Sequence, residues 1–155
     1  MKRVLFISST GGHLKELFQL ENLFKKYDYY IVTENTKSNK SLKEEYKHVS
    51  YLLYGTKDKK FIYPFKLLFN CIKSLFLYFY IHPDYIITTG AHTAGPMCLI
   101  GKFFGSRIIY IETFANIKTK TITGKLLNPI SDKFIVQWEN MEKVYKNSEC
   151  WGWIF

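Results

Sequence analysis

Short apolar runs recur along the chain, each followed by a small or polar stretch and then by apolar positions at helical spacing. Val4-Leu5-Phe6-Ile7 is continuous rather than alternating, as a parallel strand covered on both faces requires. It leads through Ser8-Ser9-Thr10-Gly11-Gly12-His13 to Leu14, Leu17, Phe18, Leu20, Leu23 and Phe24, whose spacing predicts a helix. Tyr29 to Val32 predicts a second strand ending at Thr33-Glu34, and Val49 to Leu53 a third, with a polar loop and short helix between them over Asn35 to Lys47. Tyr85 to Thr88 follows the turn signal His82-Pro83-Asp84 and predicts a fourth strand. A small-residue loop from Gly90 to Gly95 comes next. Pro96 suits the first turn of a helix over Met97 to Phe104 that stops at Gly105. Ile108 to Ile111 predicts a fifth strand, Thr121 to Pro129 a helix, Phe134 to Val136 a last strand and Glu139 to Lys146 a short helix. Strands alternating with helices give an α/β fold with a doubly wound, Rossmann-like parallel sheet, in one domain over residues 1–155.

In a 3-2-1-4-5-6 strand order, strands 1 and 4 are neighbours and ligands bind beyond their carboxyl ends. The loops at Gly11-Gly12 and at Gly90, Ala91, His92, Thr93 and Gly95 then face each other across one crevice. Each combines small residues with a helix N-terminus, where free N–H groups and the helix dipole attract anions. Two such loops suit a diphosphate better than a single phosphate. His13 has two open roles, as a general base toward a ligand hydroxyl or as a hydrogen-bonding or capping group. Glu112 can orient a hydroxyl, serve as an alternative base, or cap the helix that follows. Glu34 ends the second strand, where a dinucleotide fold carries its ribose-binding acid. The G-x-G-x-x-G fingerprint is absent from Ser8 to His13, which weakens an oxidoreductase reading.

Apolar residues make up 47% of the chain, which excludes a disordered protein. Twenty-two Lys and Arg stand against 13 Asp and Glu, for a net charge of +9, and where those charges lie decides their meaning. Lys57, Lys59, Lys60, Lys66 and Lys73 accompany the aromatic stretch Phe61 to Ile81. Asn70 and Lys73 interrupt that stretch and Pro64 lies near its start, so it reads as a helix in the headgroup region rather than a membrane span. Its expected membrane contacts are Lys60, Phe65, Lys66, Phe69, Lys73 and Phe76. Basic residues around an apolar helix, with no recognition module, do not suggest nucleic-acid binding. Met1-Lys2-Arg3 precedes too short an apolar stretch for a secretory signal. Cys71, Cys98 and Cys150 are far apart and form no zinc spacing, so no metal is expected, and no motif calls for a cofactor. Trp151, Trp153, Ile154 and Phe155 end the chain on an apolar note; residues 147–155 read as a partner-docking tail or as a segment folded back on the domain.

Taken together, Gly11-Gly12-His13-Leu14, Thr88-Thr89-Gly90 through Gly95-Pro96, Ile109 to Ala115, Thr123 to Pro129 and Phe134 to Glu139 resemble one family. It is the acceptor-binding, membrane-associating subunit of split GT-B glycosyltransferases. Its members include the Alg-type anchor subunit of the dolichol-pathway UDP-N-acetylglucosamine transferase and bacterial proteins of capsule and exopolysaccharide synthesis. The chain is more distantly similar to the N-terminal domain of the peptidoglycan lipid-intermediate glycosyltransferase. The resemblance implies the N-terminal half of a GT-B fold, with the glycine loops lining the site of a polyprenyl-diphosphate-linked saccharide. It also implies a separate partner subunit that binds the UDP-sugar, docking through Trp151, Trp153 and Phe155. The expected location is peripheral, at the cytoplasmic face of the plasma membrane. Eukaryotic members carry an N-terminal transmembrane helix that this sequence does not show, which gives residues 61–81 a larger part in attachment. A non-catalytic membrane scaffold for the partner is the alternative.

Overall fold

A computed structural model describes residues 1–55 and 62–154. Lys57, Lys59, Lys60, Phe61 and Phe155 therefore lie outside the described residues. The strands are β1 (Arg3–Ser8), β2 (Asp28–Glu34), β3 (Val49–Leu52), β4 (Tyr85–Gly90), β5 (Arg107–Ile111), β6 (Lys133–Val136) and β7 (Ser148–Cys150). They form one parallel sheet in the order β3-β2-β1-β4-β5-β6-β7. This is the expected doubly wound order, extended by one strand at the β6 edge. Ser148-Glu149-Cys150 has no apolar run, so nothing in the pattern marks it as a strand; it joins the sheet because β6 offers an unpaired edge.

The alternation of side chains along each strand divides the core in two. Leu5, Ile7, Ile86, Ile108, Phe134 and Val136 point to one face, where α3 (Tyr63–Ile81), α4 (Ala94–Phe103) and α5 (Ile122–Leu127) cover them with Tyr78, Ile81, Met97, Cys98 and Leu127. Val4, Phe6, Ile87, Ile111 and Ile135 point to the other, against Leu14 and Leu17 of α1 (Gly12–Phe18) and Phe24. At Gly101 a Cβ would lie 2.2 Å from Ile86 Cδ1, so α4 approaches β4 as closely as only glycine permits.

Several boundaries differ from expectation. The first helix ends at Phe18, and Glu21–Leu23 continues as a short 3-10 turn. α4 starts two residues before Pro96, which sits in its first turn. Glu139–Glu142 is a 3-10 turn rather than a longer helix. α2 (Leu42–Glu45) is the short helix expected in the polar loop.

α3 is built inside out. Its buried positions are Asn70, Ser74, Tyr78 and Ile81, at helical spacing. The Asn70 carboxamide accepts from Leu53 N at 2.8 Å and donates to Leu53 O at 2.9 Å, continuing the end of β3 as a strand would. Tyr78 and Ser106 share a hydroxyl bond of 3.0 Å, and Ser106 donates to Pro83 O. Phe65, Leu68, Phe69, Ile72, Phe76, Phe79 and Tyr80 are left exposed. The exposed strip continues onto α4 through Phe104, 4.9 Å from Phe79 between ring centres, and Phe103. By length and composition α3 could cross a membrane. Its polar side, however, is bonded to Leu53 just after β3 and, through Tyr78, to Ser106 just before β5, so the helix is part of the domain.

Candidate functional site

Adjacent strands β1 and β4 bring their two loops together. Gly11 (φ 84°) and Gly90 (φ 92°) both occupy the left-handed region that side chains avoid. Ser9 N donates to Gly90 O at 3.1 Å, Ala91 N to Ser9 Oγ at 3.4 Å, and Thr89 Oγ1 to His13 O at 2.6 Å. His13 Nδ1 lies 2.8 Å from Thr89 O. A carbonyl only accepts, so Nδ1 carries a proton, and in the neutral ring that leaves the lone pair on Nε2. The imidazole lies against Gly90, where a Cβ would stand 3.6 Å from two of its ring atoms. His13, Ala91, His92, Tyr63, Tyr110 and residues 121–123 line a pocket of about 260 Å³.

The two loops also share a carboxylate. Glu34 is 1% exposed; its Oε2 accepts from Thr10 N at 3.0 Å and its Oε1 from the Thr93 hydroxyl at 2.8 Å. His92 Nε2 lies 3.7 Å from the same Oε1. These partners engage both oxygens of Glu34, which removes the ribose-binding role that its strand-end position suggests.

On the far side of the pocket Glu112 is 1% exposed, following β5. It accepts from Tyr145 Oη at 2.5 Å, Thr121 Oγ1 at 3.1 Å, Thr113 N at 3.0 Å and Tyr110 Oη at 3.5 Å. Burial, and then the hydrogen bond to Glu112, push the Tyr145 hydroxyl up to about 12; burial and the Glu112 charge raise Tyr110 as well. Both phenols therefore remain donors at neutral pH. Thr121 caps α5 by accepting from Gly124 N at 2.9 Å. A Cβ on Gly124 would meet Tyr145 Oη at 2.2 Å and Glu112 Oε2 at 2.8 Å, so this hydroxyl cage requires glycine there. The expected role of Glu112 as an acceptor-facing base is corrected on these grounds: its oxygens are enclosed, and it holds the α5 cap in place. Replacing Glu112 with Ala would leave three hydroxyls without their acceptor and should destabilise the domain by about 2–4 kcal/mol, read by denaturant unfolding.

The structure thus gathers His13, Ala91 and His92 at one pocket, with Gly90 behind the His13 ring. Gly11 and Gly12 lie outside that lining, at the N-cap and the first residue of α1, with nothing within 4 Å of an added Cβ. Thr93 and Gly95 turn inward: Thr93 bonds Glu34, while Gly95 N donates to His92 O and its Cα side meets Leu126. Glu16, unmarked by any motif, ties α1 to the loop after β5 by accepting from Thr113 Oγ1 at 2.7 Å and Phe114 N at 3.2 Å. Its place one helical turn beyond His13 is the signal that would have found it. Among the described residues no group of three His, Cys, Asp or Glu is placed to hold a metal ion.

Of the expected membrane contacts, Phe65, Phe69 and Phe76 are 74%, 48% and 72% exposed. Lys66 donates to Tyr54 O at 2.8 Å, and Lys73 is half-buried. Residues 147–154 are not a loose tail, since β7 occupies 148–150 and Trp151 N continues the pairing to Val136 O. Trp151 and Trp153 nevertheless stay exposed. Trp153 stands edge-on to Phe114 and Trp138 beside an open groove of about 950 Å³.

Residues 4–154 match the sequence profile of the family described as "Oligosaccharide biosynthesis protein Alg14 like". The chain belongs to the Alg14-like family. A relative in Schizosaccharomyces pombe, "UDP-N-acetylglucosamine transferase subunit alg14", is 29% identical over 174 residues, covering 97% of this chain and 82% of the relative. The Homo sapiens protein of the same description is 26% identical over 176 residues, covering 96% and 81%. Among solved structures, Acinetobacter baumannii MurG superposes with a TM-score of 0.77 at 17% identity, over 97% of this chain and 45% of MurG. A UDP-N-acetylglucosamine 2-epimerase from Rickettsia bellii gives 0.72 at 15% identity, over 99% and 45%. This Alg14-like chain therefore spans under half of each structure. At these identities the likeness is one of fold, that of the N-terminal half of a GT-B protein.

Proposed function

We propose that this Alg14-like chain is the acceptor-binding subunit of a two-chain glycosyltransferase. It binds a polyprenyl-diphosphate-linked saccharide at the cytoplasmic face of the membrane and recruits a partner that holds the UDP-sugar. The observation that carries the reading is that the loops after β1 and β4 are bonded to each other and that His13, Ala91 and His92 line one pocket beside them. Family membership over nearly the whole chain supports the reaction class. The diphosphate would lie against the loops at Gly11-Gly12 and Gly90 to His92, where loop N–H groups and the α4 N-terminus favour negative charge. The acceptor hydroxyl attacks the anomeric carbon of the UDP-sugar and passes its proton to His13 Nε2. The bond from that carbon to UDP breaks, and UDP leaves with the electron pair. No covalent enzyme intermediate is needed. The exposed aromatic strip of α3 enters the headgroup region, and Trp151 and Trp153 meet the partner. By its resemblance to the family's bacterial members, we assign the transfer to capsule or exopolysaccharide synthesis.

Calorimetry of the full chain with a short-chain prenyl-diphosphate N-acetylglucosamine tests the acceptor site. Binding at least about tenfold tighter than to the prenyl monophosphate is the expected result, since a second phosphate adds contacts to the second loop. Equal affinity for the two would contradict a diphosphate site.

A further inference from the structure

We propose that Glu34 is a positioning residue that sets the spacing of the two loops, and with it the affinity for the acceptor's diphosphate. This rests on the acceptor-site reading above. Glu34 is the last residue of β2, which neighbours β1, which in turn neighbours β4. Its carboxylate therefore reaches across the end of β1 and meets both loops. One oxygen takes the Thr10 N–H and the other the Thr93 hydroxyl, at 3.0 and 2.8 Å. A single planar group thus ties the loop after β1 to the loop after β4.

A buried carboxylate is costly unless its oxygens are hydrogen-bonded. Here the donors come from the two loops, so separating them would strand the charge. The restraint has a second layer: Asn39 Nδ2 donates at 3.1 Å both to Thr10 Oγ1 and to Glu34 O. His92, which lines the pocket, has its buried Nε2 facing Glu34 without a hydrogen bond. Glu34 itself is not among the residues lining the pocket, so it acts through the loops rather than on a ligand.

Two substitutions separate geometry from charge. In Glu34→Gln the amide oxygen can accept from Thr10 N–H while the amide N–H donates to the Thr93 hydroxyl, which accepts as readily as it donates. Glu34→Ala removes both links. In the assembled two-chain enzyme, Glu34→Ala should raise KM for short-chain prenyl-diphosphate N-acetylglucosamine about tenfold or more, with KM for the UDP-sugar within about twofold. Glu34→Gln should stay within about threefold of wild type on both.

Amide hydrogen exchange on the full chain alone provides a readout independent of activity. Glu34→Ala should speed exchange at 10–13 and 91–93 together while β5 and β6 stay protected. Thr93→Val, which removes one link, should do the same to a smaller degree and serves if the alanine variant does not fold. Glu34→Gln as impaired as Glu34→Ala, an equal rise in both KM values, or a response in one loop only would overturn the proposal. A wild-type chain that fails to bind the prenyl-diphosphate probe overturns the acceptor-site reading instead, and the exchange result then judges the loop coupling by itself.

Discussion

His13→Ala should lower the turnover of the assembled enzyme roughly 10²–10⁴-fold, the usual contribution of a positioned general base. The geometry makes this specific. Thr89 O holds Nδ1–H at 2.8 Å, which fixes the tautomer and leaves Nε2 as the proton acceptor. The backbone tie from Thr89 Oγ1 to His13 O does not depend on the side chain, so the loops should keep their places in the alanine variant. KM for the acceptor should accordingly change by only about threefold, an effect confined to kcat. Steady-state kinetics with both substrates varied gives the split. A variant that keeps more than about one-tenth of wild-type turnover would mean that the partner supplies the base.

Replacing Phe65, Phe69 and Phe76 together with serine should release the chain from lipid vesicles. Each phenylalanine is worth about 1.5–3 kcal/mol when fully buried, and partial insertion at the headgroup boundary gives less. A combined loss of about 2–3 kcal/mol is a conservative figure, a fall of roughly 30–150-fold in the bound-to-free ratio. The three rings are exposed and the opposite side of α3 is held by the hydrogen bonds of Asn70 and Tyr78, so thermal stability should hardly move. Sedimentation with vesicles containing anionic lipid measures the loss. Unchanged sedimentation of a folded triple variant would contradict membrane contact through α3.

The sheet was legible because its strands are buried on both faces. Val4 to Ile7, Ile86-Ile87 and Ile108 to Ile111 are apolar runs of the kind central parallel strands require, and the order of the first six strands is the common doubly wound one assumed for them. β7 was not legible, since Ser148-Glu149-Cys150 joins the sheet through backbone pairing alone. The composition of α3 showed an aromatic helix but not which side faces inward; that its polar Asn70 and Ser74 point into the domain emerges only from the bonds of Asn70 to Leu53 and the burial of Ser74.

The candidate site divides in the same way. Glycine loops and a histidine at a helix start are local signals; His13 and His92 line the pocket, while Gly11 and Gly90 shape the turns beside it. The carboxylates behave differently. Glu34 meets Thr10 and Thr93, 24 and 59 positions away, and Glu112 meets Tyr145, 33 positions away. No local pattern records such pairs. A carboxylate at a strand end reads from sequence as exposed to a ligand, whereas here both carboxylates are buried and organise the loops and caps that surround one. Strand order alone could have found the role of Glu34, since the end of β2 lies beside the loop after β1.

The measurement that tests the account most directly is sugar transfer from labelled UDP-N-acetylglucosamine onto a polyprenyl-diphosphate-linked saccharide in vesicles. It would use this chain, a glycosyltransferase-like partner chain from the same organism, and both together. The division of labour proposed here predicts transfer only when both chains are present. Transfer by this chain alone would place the nucleotide-sugar site within it, and equal transfer by the partner alone would remove its role as the acceptor-binding half.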